Sequence, residues 1–240
     1  MNRLTDAWFE FKGVNSNDLG ILLRKMPQRG LAAMNYETKR IPGRSGSLLV
    51  TDGTYGDITV KLEFDARDES KLAAIHGLLS GRGPLRFSDE PDLVYDAWID
   101  KAPSRQSIRP RFTGQRFTVT FTCNPLRRKY ATERQIQITT NGYAFSNPGT
   151  AAARPRIYVT GSGTFALTIG DQTMNFSGVE EGVIIDSELY DVFALKGGDL
   201  ANDKVVSGEP FILEPGEHAV SWSPTANITR VVIEPRWRYL

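Results

Sequence analysis

Apolar and polar positions alternate along most of this chain. Ile58, Val60, Leu62 and Phe64 are separated by polar residues, and Phe117, Val119, Phe121 and Cys123 repeat the pattern. A period of two buries one face of a strand and wets the other. Strands are predicted over 8–11, 19–26 (stopped by Pro27), 35–41, 59–65, 94–102 and 116–123. One segment departs from the pattern. Leu72, Ile75, Leu78 and Leu79 fall on a single helical stripe, which predicts a helix over 68–80 lying on the sheet. Asp65 or Asp68 can cap its first turn and Gly81 can end it.

Turn chemistry punctuates these runs: Gly13 with residues 15–18, Pro42-Gly43-Arg44-Ser45-Gly46, Asp52-Gly53-Thr54-Tyr55-Gly56, and a break at Gly81-Arg82-Gly83-Pro84. Residues 124–132 are polar and basic and contain Pro125, which reads as a domain boundary. Alternation returns beyond it at Ile157/Val159, Phe165/Leu167/Ile169, Met174/Phe176, Val183/Ile185, Val220/Trp222 and Val231/Ile233. Asn147-Pro148-Gly149, Gly161-Ser162-Gly163, Gly170-Asp171, Gly197-Gly198 and Pro215-Gly216 separate the runs. Many short strands at this spacing predict an all-β sandwich. The reading is therefore mainly β, with a first domain over 1–127 carrying one helix and a second over 128–240. The 240 residues suit two domains of ordinary size.

Charge narrows the class. Formal net charge is +1, and residues 1–125 carry 18 Lys/Arg against 15 Asp/Glu, while residues 126–240 carry 11 against 13. Neither half has the positive field of a nucleic-acid binder. The densest basic run, Arg127-Arg128-Lys129, reads as a solvated linker. The single cysteine, Cys123, alternates with core residues and has no partner for an internal disulfide. The N-terminal residues lack the apolar stretch of a signal peptide, and no run approaches the length of a membrane span, which predicts synthesis and folding in a cytoplasm without membrane insertion.

Candidate chemistry is sparse. His76 and His218 have no nucleophile motif nearby, and one cysteine with two distant histidines does not supply a zinc spacing. Asp199, Asn202 and Asp203 lack the EF-hand spacing. Asp89-Glu90 and Glu180-Glu181 are adjacent, so on a strand each pair points to opposite faces. Gly81-Arg82-Gly83 lacks the nucleotide-binding patterns. No catalytic residue, metal or cofactor is assigned, and the chain is read as a non-enzyme. Tyr143, Phe145, Trp222, Trp237 and Tyr239 are the aromatics that could stack on sugars, or else pack in the core. Arg236, Trp237, Arg238 and Tyr239 together form an alternating basic and aromatic end suited to a subunit contact.

Several segments, in order, resemble the distal tail protein (Dit) family of long-tailed non-contractile phages. Residues 11–21 resemble its opening strand and "xxDFGI"-type turn, with Leu19 in place of Phe. Ile41-Pro42-Gly43-Arg44-Ser45-Gly46 resembles its Pro-Gly-Arg-x-Gly turn, and Asp52-Gly53-Thr54-Tyr55 the Asp-Gly-Ser/Thr-Tyr turn that follows. Leu85-Arg86-Phe87-Ser88-Asp89-Glu90 and residues 117–125 resemble the segments after the helix. Asn141-Gly142, Asn147-Pro148-Gly149, Pro155-Arg156-Ile157, Ile185-Asp186-Ser187-Glu188 and Phe211-Ile212-Leu213 resemble strands of its second domain. The likeness implies an N-terminal β-barrel-like belt domain with one helix and a C-terminal galectin-like sandwich. It also implies a hexameric ring in the virion tail tip. That ring joins the tail tube, with its tape measure, to the baseplate or tip proteins, and DNA only passes through its lumen. The interface candidates are then Pro42, Gly43, Arg44, Gly46, Asp52, Gly53, Tyr55, Gly81 and Gly83. The alternative is a carbohydrate-binding sandwich module that contacts host glycans.

Overall fold

The computed structural model describes residues 7–109, 112–131, 133–223 and 226–240. The chain divides into two compact units, Met1–Tyr130 with Leu240, and Ala131–Tyr239. Both are mostly β, and every strand pairing described is antiparallel.

The first unit runs β1 (Phe9–Phe11), β2 (Val14–Asn15), β3 (Ile21–Leu23), β4 (Glu37–Arg40), β5 (Ser47–Val50), β6 (Ile58–Ala66), helix α1 (Leu72–Leu78), β7 (Gly81–Phe87), β8 (Glu90–Ile99), β9 (Ser104–Arg109), β10 (Phe112–Cys123) and β11 (Arg128–Lys129). The main sheet has the order β2-β1-β7-β8-β10-β6-β3, with β9 on β10 and β11 on β8. Its spine is β6 against β10, in continuous register from Ile58↔Cys123 to Ala66↔Gln115. The predicted alternation is realised there: Val60, Leu62, Phe64, Phe117, Val119, Phe121 and Cys123 share the buried face. Phe64 stacks on Phe117 with centroids 5.3 Å apart and meets Phe9 at 5.8 Å. The stripe Ile75, Leu78 and Leu79 closes this core.

The helix is shorter than the predicted 68–80. Asp68 caps a 3-10 turn, Glu69–Lys71, by accepting from Ser70 N at 3.0 Å, and only Leu72–Leu78 is α-helical. Gly81 does not end the helix but opens β7, so the expected break at 81–84 is a paired strand. Pro84 is tolerated there because β1 stops opposite Leu85. The Pro84 carbonyl points to that unpaired side and accepts from Lys12 N at 3.0 Å, so the missing N–H, which faces the same way, removes no bond to β8. Gly83 is required because Lys12 lies across it: a Cβ would fall 2.6 Å from Lys12 Cγ. The basic run is likewise not a linker. Arg128 and Lys129 pair with Val94 and Leu93, and Arg127 donates to Glu90 at 3.1 Å with its guanidinium over Tyr95.

The second unit contains β12 (Ile136–Ile138), β13 (Tyr143–Asn147), β14 (Arg156–Ile169), β15 (Gln172–Val179), β16 (Gly182–Asp186), β17 (Asp191–Ala194), β18 (Val205–Ser207), β19 (Gly216–Trp222) and β20 (Asn227–Glu234). Long β14 ties them together. Its first half pairs with β16 and β20, its second with β15 and β19. Gly161-Ser162-Gly163, expected as a turn, is the corner inside that strand. The register shifts on both sides of it, and Gly163 has φ +91°. At Gly161 a Cβ would sit 2.5 Å from Asn227 O. Bulges with glycine let a strand bend between sheets without losing its alternation. Val159, Phe165, Leu167, Phe176, Val183, Ile185, Val220 and Val231 converge on one core.

Replacing Phe64 by Ala removes a fully buried ring from the spine. The expected cost is about 3–5 kcal/mol. Urea unfolding with amide exchange resolved by unit reads this as a lower midpoint for the first unit alone.

Candidate subunit interface

β4 and β5 form a two-stranded hairpin that belongs to neither large sheet. All of its residues are exposed. Its tip is built by local chemistry. Pro42 and Gly43 occupy the two central positions, Gly43 has φ +80°, and Arg44 N donates to Ile41 O at 3.2 Å. This is the residue pattern of a type II turn, in which proline presets the first corner and glycine accepts the positive φ of the second. Gly46, at φ +84°, returns the chain into β5. Pro42, Gly43, Arg44 and Gly46 are thus gathered at one exposed tip.

The two strands of the arm differ: β4, Glu37–Arg40, is polar as in a solvated hairpin, while Leu48, Leu49 and Val50 of β5 are apolar. Ile41, Leu48, Leu49 and Val50 are exposed, Leu49 at 62%, and Tyr36, which precedes β4, is exposed at 58%. An isolated two-stranded hairpin is marginal in water, and among the described residues no further strand pairs with either outer edge of this one. The arm therefore presents what a partner needs: apolar side chains and free strand edges.

Asp52, Gly53 and Tyr55 lie at the base of the arm. Met34 bridges Tyr55, Asn35 N donates to Thr54 O at 2.8 Å, and Gly56 N donates to Ala33 O at 3.0 Å. Asp52 Oδ1 accepts from Thr54 N at 2.9 Å and from Thr54 Oγ1 at 2.7 Å. Hydrogen bonds first from the Thr54 hydroxyl and then from its amide hold the Asp52 carboxyl below its ordinary value. Gly81 and Gly83 are elsewhere, inside β7.

The C-terminal candidates are engaged within the second unit. Asp186, only 2% exposed, receives Arg236 on both oxygens at 2.8 and 3.1 Å and faces Arg156 at 3.0 Å. Glu188 accepts from Arg236 at 3.2 Å and from Arg238. Burial pushes the Asp186 carboxyl up, but the hydrogen bonds and charge of Arg236, the Glu188 amide and the charge of Arg156 outweigh it and hold the group below its ordinary value. Trp237 is buried and its backbone N–H donates to Glu133 Oε2 at 2.8 Å. Of the aromatics considered for sugar stacking, Phe145 and Trp237 are core residues, Trp222 and Tyr239 pack against that core, and Tyr143 is exposed.

The remaining chemical candidates are scattered. His76 meets Phe117 edge-on at 5.7 Å in the first unit, while His218 bonds Glu214 O at 2.7 Å in the second. Burial pushes the Cys123 thiol up to about 12. Among the described residues no helix is long and apolar enough to cross a membrane.

A group whose folded pKa is lowered stabilises above its unfolded value and loses that contribution as pH falls through the folded one. Asp186→Asn is expected to destabilise the second unit at pH 7 by about 1.5–3 kcal/mol, since the arginines left behind remain partly solvated. It should also flatten the loss of stability in acid, below the usual carboxylate range. Thermal unfolding of both proteins from pH 7 down to about pH 2 checks both expectations.

No family model and no curated protein matches the sequence. A solved structure does match. The crystal structure of the SPP1 Dit (gp 19.1) protein, presented as a paradigm of the hub adsorption apparatus in phages infecting Gram-positive hosts, superposes with a TM-score of 0.76. The match covers 98% of this chain and 99% of that one at 16% identity. At that identity the likeness is one of fold, and the chain has the Dit-like fold along nearly its whole length.

Proposed function

We propose that this chain is a structural protein of a phage tail tip, assembling as a ring of like subunits, six by the family resemblance. The ring connects the tail tube to the tip apparatus. The observation that carries the reading is the end-to-end fold likeness to the SPP1 Dit protein. A fold alone does not fix function. What favours assembly in this chain is the exposed hairpin of β4 and β5, whose apolar residues Ile41, Leu48, Leu49 and Val50 belong to neither hydrophobic core.

In this reading the first unit is the ring-forming belt, its arm lies on the adjacent subunit, and the galectin-like second unit decorates the outside. The near-neutral charge suits a lumen through which DNA passes, because a basic lumen would retain phosphates.

Light scattering across a concentration series, with negative-stain images, tests the reading. A closed ring is expected. A chain that stays monomeric both alone and with tail-tube protein would refute it. Leu49→Asp should weaken each contact by about 1.5–3 kcal/mol, at least tenfold in Kd, while thermal unfolding is unchanged because Leu49 is exposed within the subunit.

A further inference from the structure

The two strands of the arm are unequal in length at its base. Asn35 lies opposite Thr54, and Glu37 lies opposite Val50. One strand has only Tyr36 between these pairs, while the other has Thr51, Asp52 and Gly53. Three residues against one cannot stay in a flat ladder, so the arm bends there.

The bend is closed on itself. Thr51 Oγ1 accepts from Gly53 N at 3.0 Å, and Gly53 takes φ +77°. Asn35 Nδ2 donates to Thr54 Oγ1 at 2.9 Å, and that hydroxyl donates onward to Asp52 Oδ1 at 2.7 Å. The relay from Asn35 through Thr54 to Asp52 links both strands across the bend, and Asp52 Oδ1 also holds the Thr54 amide. Asp52 has no ion pair with any described residue, so its side chain is spent on this corner.

We propose that the corner at residues 51–54 is a rigid elbow that aims the distal hairpin, with Asp52 as its positioning residue rather than a group that touches a neighbouring subunit. This rests on the ring reading only for what the arm meets; the elbow itself is a property of the single chain. It divides the candidate loops by role: Pro42, Gly43, Arg44 and Gly46 belong to the part that is aimed, Asp52 and Gly53 to the part that aims it.

The test is pulsed electron-spin distance measurement on the full chain, diluted to the monomer, with spin labels at Arg44→Cys and Lys61→Cys. Lys61 is an exposed residue of β6, and native Cys123 is buried with its thiol at about 12, so it takes no label. The parent should give one narrow distance distribution. Asp52→Asn should preserve it, because an amide oxygen accepts the same two bonds. Asp52→Ala should shift or broaden it without moving thermal unfolding of either unit. In the ring assay the alanine variant should lose assembly and the asparagine variant keep it. A broad distribution in the parent, an alanine variant identical to the parent, or an asparagine variant that behaves like alanine would each overturn the elbow. If no variant forms a ring, the ring reading fails while the distances still decide the elbow.

Discussion

The first unit depends on the pairing of β6 with β10. Nine consecutive residue pairs run from Ile58↔Cys123 to Ala66↔Gln115 without a shift. A slip of β6 by one residue would turn Phe64 to water and Glu63 inward, and a slip of β10 would do the same to Phe117 and Phe121 and to Thr118. That cost fixes the register, and the register fixes where α1 and the flanking strands can lie. The second unit has its own equivalent in β14, whose glycine corner lets one strand serve two groups of neighbours. Against these two satisfied frameworks the arm stands out as the part whose apolar residues meet no core of their own.

This contrast orders the possible functions. Catalysis needs titratable groups brought together, and the two histidines and the cysteine are separated or buried. Arg156, Arg236 and Arg238 converge on Asp186 and Glu188 and hold the C-terminal segment onto its own unit. A sugar platform needs exposed rings, and most of the nominated aromatics are inside or against the core. The arm leaves Leu48, Leu49 and Val50 exposed outside either core.

Much of the fold was legible in the sequence because alternation reports burial directly. Ile58 to Phe64 and Phe117 to Cys123 are examples, and so is the stripe of α1. Failures occurred where the local signal pointed the other way. β7 begins Gly-Arg-Gly-Pro and looks like a break, yet its proline faces an unpaired side and its glycine makes room for Lys12. Gly161-Ser162-Gly163 looks like a turn but bends a continuous strand. β5 has no alternation to read, since Leu48, Leu49 and Val50 are consecutive and all exposed. For the candidate interface, turn chemistry identified the tip at Pro42 and the corner at Asp52. It could not reveal that Arg236 is committed to Asp186, since the two are 50 residues apart and no spacing rule links them.

Assembly through the arm requires that β4 and β5 become buried in the ring. Hydrogen exchange of the amides in Glu37–Arg40 and Ser47–Val50, compared between the free chain and the assembled ring, tests it most directly. Rapid exchange in the free chain and strong protection in the ring are expected. A ring whose arm exchanges as fast as that of the free chain would contradict assembly through the arm.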